Sequence, residues 1–73
     1  MLPIPSEKEV IKLLSKIGFV AVRQKGSHVI LIKETEQGKK AVVVPLHREI
    51  DKGTLLEIIR QSGLKRHEFL ELL

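Results

Sequence analysis

The chain of 73 residues contains no cysteine, tryptophan or tyrosine, and its aromatic side chains are Phe19 and Phe69 alone. Without cysteine there is no disulfide framework and no thiolate metal site. Modules that read a single strand by stacking its bases need exposed aromatic platforms, and a chain with two phenylalanines has almost none to offer. Any contact with a nucleic acid is then expected to run through phosphates and sugars, which reads shape rather than sequence. Long apolar runs are also missing: the longest, Val29–Ile32 and Ala41–Pro45, fall far short of a membrane span. The opening Met1-Leu2-Pro3-Ile4-Pro5 lacks the basic region and apolar core of a signal peptide, so a cytoplasmic protein is expected. His28, His47 and His67 are spaced 19 and 20 residues apart, which matches no metal-ligand pattern. Neither a glycine-rich phosphate loop nor a Ser-His-Asp arrangement is visible. The expectation is a protein without metal or cofactor.

What is present describes one small folded domain spanning residues 1–73. Hydrophobic residues make up 42% and charged residues 30%, a globular rather than a disordered balance, and a chain this short supports one core. The net charge of +4 is unevenly placed. Through Lys33, six basic side chains (Lys8, Lys12, Lys16, Arg23, Lys25, Lys33) face only Glu7 and Glu9, whereas from Glu34 onward basic and acidic residues balance. Such an excess suits a patch facing a polyanion. An ordinary solvated surface with uneven charge fits equally well.

Ser6-Glu7-Lys8-Glu9 is a capping box, followed by apolar residues at Val10, Ile11, Leu13, Leu14 and Ile17 on one helical face, with Gly18 as the stop. Lys8, Lys12 and Lys16 form a basic ridge on that helix. Phe19–Gln24 reads as a strand, Lys25-Gly26-Ser27 as a turn, and His28–Lys33 as a second strand rich in β-branched residues. Glu34–Lys39, with Gly38, reads as a longer turn. Lys40–Val44 is a third strand, ended by Pro45. Asp51 caps a second helix carrying Leu55, Leu56, Ile58 and Ile59, which stops at Gly63. A short final helix around Arg66–Leu72 is expected to return Phe69, Leu70 and Leu73 to the core. The fold class is α+β: a three-stranded antiparallel sheet with two helices on one face plus a short C-terminal helix. The second strand is apolar on both faces, Ile30 and Ile32 on one and Val29 and Leu31 on the other, so some apolar sheet surface is expected to stay uncovered.

His28 opens a strand directly after Gly26-Ser27, beside Lys25 and near Arg23. Glycine permits close backbone approach, and the cations would hold a phosphodiester near the imidazole. Cleavage of RNA by its own 2′-hydroxyl needs a base and an acid, and imidazole, titrating near neutrality, serves either role. A plain surface or capping histidine is the commoner explanation of the same pattern. His47 is a possible secondary acid or base, and His67, among Lys65, Arg66 and Glu68, reads as surface.

Gly26-Ser27-His28 on the second strand, Val44-Pro45-Leu46-His47 after the third, and Gly53-Thr54-Leu55 with Ile58-Ile59-Arg60-Gln61-Ser62-Gly63-Leu64 in the second helix together resemble the HicA (YcfA-like) toxins. The likeness runs from the capping box to the Phe69 segment. It implies a double-stranded-RNA-binding-domain-like α-β-β-β-α fold and a metal-independent endoribonuclease acting on mRNA. It further implies a HicB-type antitoxin that masks the site, and it places the family's catalytic histidine at His28. Arg23, Lys25, Ser27, Lys8 and Lys12 are then the candidate RNA contacts. The alternative is a non-catalytic RNA-binding module using the basic helix and the open sheet face. Lys52-Gly53-Thr54 lacks the basic cluster that opens the second helix of double-stranded-RNA-binding domains, which argues against stable duplex binding.

Overall fold

A computed structural model describes residues 4–46 and 49–73. The order is α1 (Glu7–Lys16), β1 (Val20–Lys25), β2 (His28–Thr35), β3 (Gly38–Pro45), α2 (Lys52–Ser62) and α3 (Arg66–Leu72). The strands form one antiparallel sheet in the order β1-β2-β3.

Local chemistry sets the helix ends. The Ser6 hydroxyl accepts from the Glu9 amide at 3.2 Å while the Glu9 carboxylate accepts from the Ser6 amide, satisfying two otherwise unpaired N–H groups. Asp51 does the same for α2, accepting from the Thr54 amide at 2.8 Å. At its far end Gly63 takes φ +83°, a left-handed stop that a side chain would strain.

One face of the sheet carries the core. Leu31 of β2 and Val42 and Val44 of β3 are fully buried against Val10, Leu13 and Leu14 of α1 and Leu55, Ile58 and Ile59 of α2. Phe19, Ile50 and Phe69 close the periphery of the same cluster. At the sheet end remote from His28, two paired inner-face lysines cover the core edge with their stems. Lys33 lies against Gly18, its ammonium 6.0 Å from the Phe19 ring centroid, and Lys40 lies against Gly63.

Four details differ from the sequence reading. β1 runs Val20–Lys25 rather than Phe19–Gln24, with Phe19 turned into the core ahead of the strand and Lys25 paired with His28 rather than in the turn. The β2–β3 connection is only Glu36-Gln37, because the Thr35 hydroxyl accepts from the Gln37 amide and donates to the Gly38 carbonyl at 2.7 Å, extending both strands. Pro45 is the last residue of β3 rather than the residue beyond it, tolerable at an edge strand's end. Leu73 does not return to the core and stays 39% exposed: it follows the last residue of α3 and borders an open groove beside Lys12 and Lys16 instead, so Phe69 alone is fully buried there.

Candidate functional site

Backbone hydrogen bonding builds the corner that holds His28. Lys25 and His28 are opposed across a tight Gly26-Ser27 turn in which Gly26 has φ +59°. This is the mirror-image geometry that matches the right-handed twist of a hairpin. The Leu46 amide donates to the Ser27 carbonyl at 2.6 Å, tying the turn to the segment that leaves β3. His28 is opposed on its other side by Pro45. The imidazole is thus carried by a central strand between two pinned neighbours, on exposed surface.

Strand parity decides the face on which His28 sits. Leu31 points into the core, so Val29 shares that inner side while His28, Ile30 and Ile32 occupy the opposite, open face. β1 breaks its own alternation. Val20 opposes Ile32 and Ala21 opposes Leu31, yet Arg23, not Val22, opposes Ile30. The extra residue is a β-bulge, and its effect is to re-aim everything after it. Val20 and Val22 lie on the open face, and so do Arg23 and Lys25 beyond the bulge. An unbroken strand would send Arg23 and Lys25 toward the helices. The bulge therefore brings both cations to the side of His28.

The other sequence-derived candidates separate. Ser27 is exposed in the turn beside His28. Lys8, Lys12 and Lys16 are exposed on α1, in the helical layer, and Lys12 and Lys16 border a small groove with Leu72 and Leu73. The basic half of the sequence thus divides between two sides of the molecule. His67 is exposed on α3, as expected of a surface residue. His47 lies outside the described residues. Among the described residues, no group of three or more His, Asp or Glu side chains gathers to hold a metal ion. No described helix is long and apolar enough to cross a membrane.

Two features escaped the sequence reading. The bulge at Val22 leaves only a phase change as its trace, with exposed valines at 20 and 22 and exposed cations at 23 and 25. The second is a polar chain along α2. Arg60 bonds Glu57 at 2.9 Å and thereby holds the Glu57 carboxyl below the usual carboxylate range. The same carboxylate accepts from the Gln61 side-chain amide at 3.1 Å, and the Gln61 carbonyl accepts from the Val43 backbone amide at 3.1 Å. One outward donor of the β3 edge is satisfied this way, as edge strands require.

Comparison with curated proteins finds no significant match to this chain. Among protein families, the profile described as "HicA toxin of bacterial toxin-antitoxin" matches residues 8–64, from α1 through the end of α2, and so includes the bulged β1 and the His28 corner. The final helix lies beyond the matched segment. With most of its length inside that match, the chain belongs to the HicA toxins of bacterial toxin–antitoxin systems, a toxin whose counterpart is an antitoxin.

Proposed function

We propose that this toxin is an mRNA-cleaving endoribonuclease that needs no metal, with His28 moving a proton in the cleavage step. The observation that carries the reading is the opposition of an exposed histidine and an exposed lysine, His28 and Lys25, on one sheet face, with Arg23 brought to that face by the bulge. In the reaction the ribose 2′-oxygen attacks the adjacent phosphorus, the P–O5′ bond breaks, and a 2′,3′-cyclic phosphate and a 5′-hydroxyl result. The 2′-hydroxyl gives up one proton and the departing 5′-oxygen gains another. His28 carries one of these transfers, as neutral base or as protonated acid, a role generally worth roughly 10²–10⁴ in rate. The Lys25 ammonium opposes the charge that builds on the phosphoryl oxygens, and Arg23 and the Ser27 hydroxyl hold the backbone beside it. Lys8 and Lys12 contact a more distant part of the same RNA. A HicB-type antitoxin in the cytoplasm masks the site until the toxin is released.

The test uses purified, antitoxin-free protein, a defined RNA and EDTA. Cleavage to cyclic-phosphate ends that disappears in a folded His28→Ala variant supports the enzyme. Full cleavage by that variant sinks the assignment of His28. Salt-sensitive binding without any cleavage is the signature of the RNA-binding module instead.

A further inference from the structure

The open face of the sheet continues from His28 as a single surface. Val20, Val22, Ile30, Ile32 and Val43 share it, with Val20 61% and Val22 58% exposed. At the end away from His28 this face deepens into an open groove of ≈ 680 Å³, with aliphatic walls from Val20, Val22 and Ile32. Its rim carries Glu34 and Lys39, a carboxylate and an ammonium 4.0 Å apart. Ile32 lies four residues along β2 from His28, about 13 Å at the rise of a strand.

We propose that this face is the track of a single-stranded RNA segment, and that the groove takes a nucleobase flanking the scissile phosphate. The proposal deepens the endoribonuclease reading and rests on it for the direction of the track, from His28 outward. Three observations commit the face to a single strand. First, Lys39 at the groove rim is matched by the Glu34 carboxylate, whereas Arg23 and Lys25 stand toward the His28 end, where the phosphate must sit, with aliphatic surface between them and the groove. A strand with its backbone anchored at one point and a base turned onto methyl groups matches that order of chemistry. Second, the β1–β2 connection is the two residues Gly26-Ser27, too short to reach into a duplex groove as a loop. Third, the remaining candidate cations Lys8 and Lys12 lie in the helical layer. A flexible strand can pass round the molecule from one side to the other, whereas a rigid duplex cannot lie against both. The groove supplies what exposed aromatics would otherwise give: an apolar pad that loses its water when one base rests on it. At its rim Glu34 offers an acceptor and Lys39 a donor, and the Watson–Crick edge of every nucleobase displays a neighbouring donor and acceptor.

The experiment measures binding, so it does not depend on cleavage. A fluorescent 2′-O-methyl oligonucleotide, which lacks the attacking hydroxyl, is titrated by anisotropy as a single strand and annealed to its complement. The single strand is expected to bind more tightly than the duplex. Val22→Asp, which sets a carboxylate in the groove wall, is expected to weaken the strand by roughly tenfold, and Val20→Asp on the same wall to act alike. Both positions are exposed, so circular-dichroism melting should confirm intact folds. Unchanged affinity in both variants, or tighter binding of the duplex, would overturn the proposal. Self-association of the wild type that Val22→Asp abolishes without weakening the strand would overturn it as well, assigning the face to a second copy. Alongside these expected affinities, full cleavage by His28→Ala would overturn the assignment of His28 alone, and no cleavage by the wild type would overturn the enzyme reading alone.

Discussion

At the residue scale, the consequential side chains make few internal contacts, so stability and function should come apart. His28 is exposed and fills no cavity. His28→Ala is therefore expected to change stability by less than about 0.5 kcal/mol, checked by thermal melting, while cleavage falls at least about a hundredfold. A large loss of stability would mean that the histidine holds the corner together rather than acting on RNA. Lys25 differs in kind: its charge, not its exact geometry, matters for a phosphate contact. Lys25→Ala should lower the slope of log affinity against log salt by about one contact, measured on a non-cleavable RNA. Gly26 is bound to its conformation instead, because φ +59° is strained for any side chain even though open space surrounds it.

At the element scale, β1 and α2 do what their sequences state least openly. The bulge converts a strand with two interleaved patterns, apolar at 20 and 22 and basic at 23 and 25, into one that shows both to the open face. In α2, the exposed Arg60–Glu57–Gln61 chain reaches across to the β3 edge. Gln61→Ala should reduce the hydrogen-exchange protection of the Val43 amide, with little change in global stability because the bond is exposed. Unaltered protection of Val43 would mean that the glutamine bond is absent in solution. Because the Glu57 carboxyl titrates below its ordinary range when folded, its small contribution is present at neutral pH and is lost as pH falls through that lowered value.

At the scale of the whole molecule, a thin core makes each buried side chain count. Phe69 is fully buried although α3 lies beyond the family match. Phe69→Ala is expected to cost about 3–5 kcal/mol, enough to unfold much of so small a domain near body temperature. Denaturant melting of the variant checks this, and a near-native midpoint would make α3 an accessory rather than part of the fold. The two broad sides of the molecule are unlike: helices cover one sheet face, and the other presents apolar surface running up to a basic corner.

The elements were legible in the sequence because their signals are local. The Ser6–Glu9 box, the Asp51 cap, the Gly63 stop and the β-branched run from His28 each act within a few residues, and the helix from Arg66 to Leu72 was read to its bounds. Composition excluded thiolate chemistry outright, since a missing side chain is missing in any fold, whereas base stacking on Phe19 and Phe69 was removed only by their burial in the core. The site was only half legible. His28 stood out by its neighbours in the chain, but whether Lys25 and Arg23 join it depends on strand parity, and one extra residue at Val22 reverses parity. No local propensity marks that residue, because the bulge exists only relative to the partner strand. The same holds for the division of the basic residues between helix layer and open face, and for the reach of Gln61 to Val43. Sequence determined which groups are available; only tertiary pairing decided which of them share a surface, because a face belongs to two strands and a helix at once and to no stretch of the chain alone.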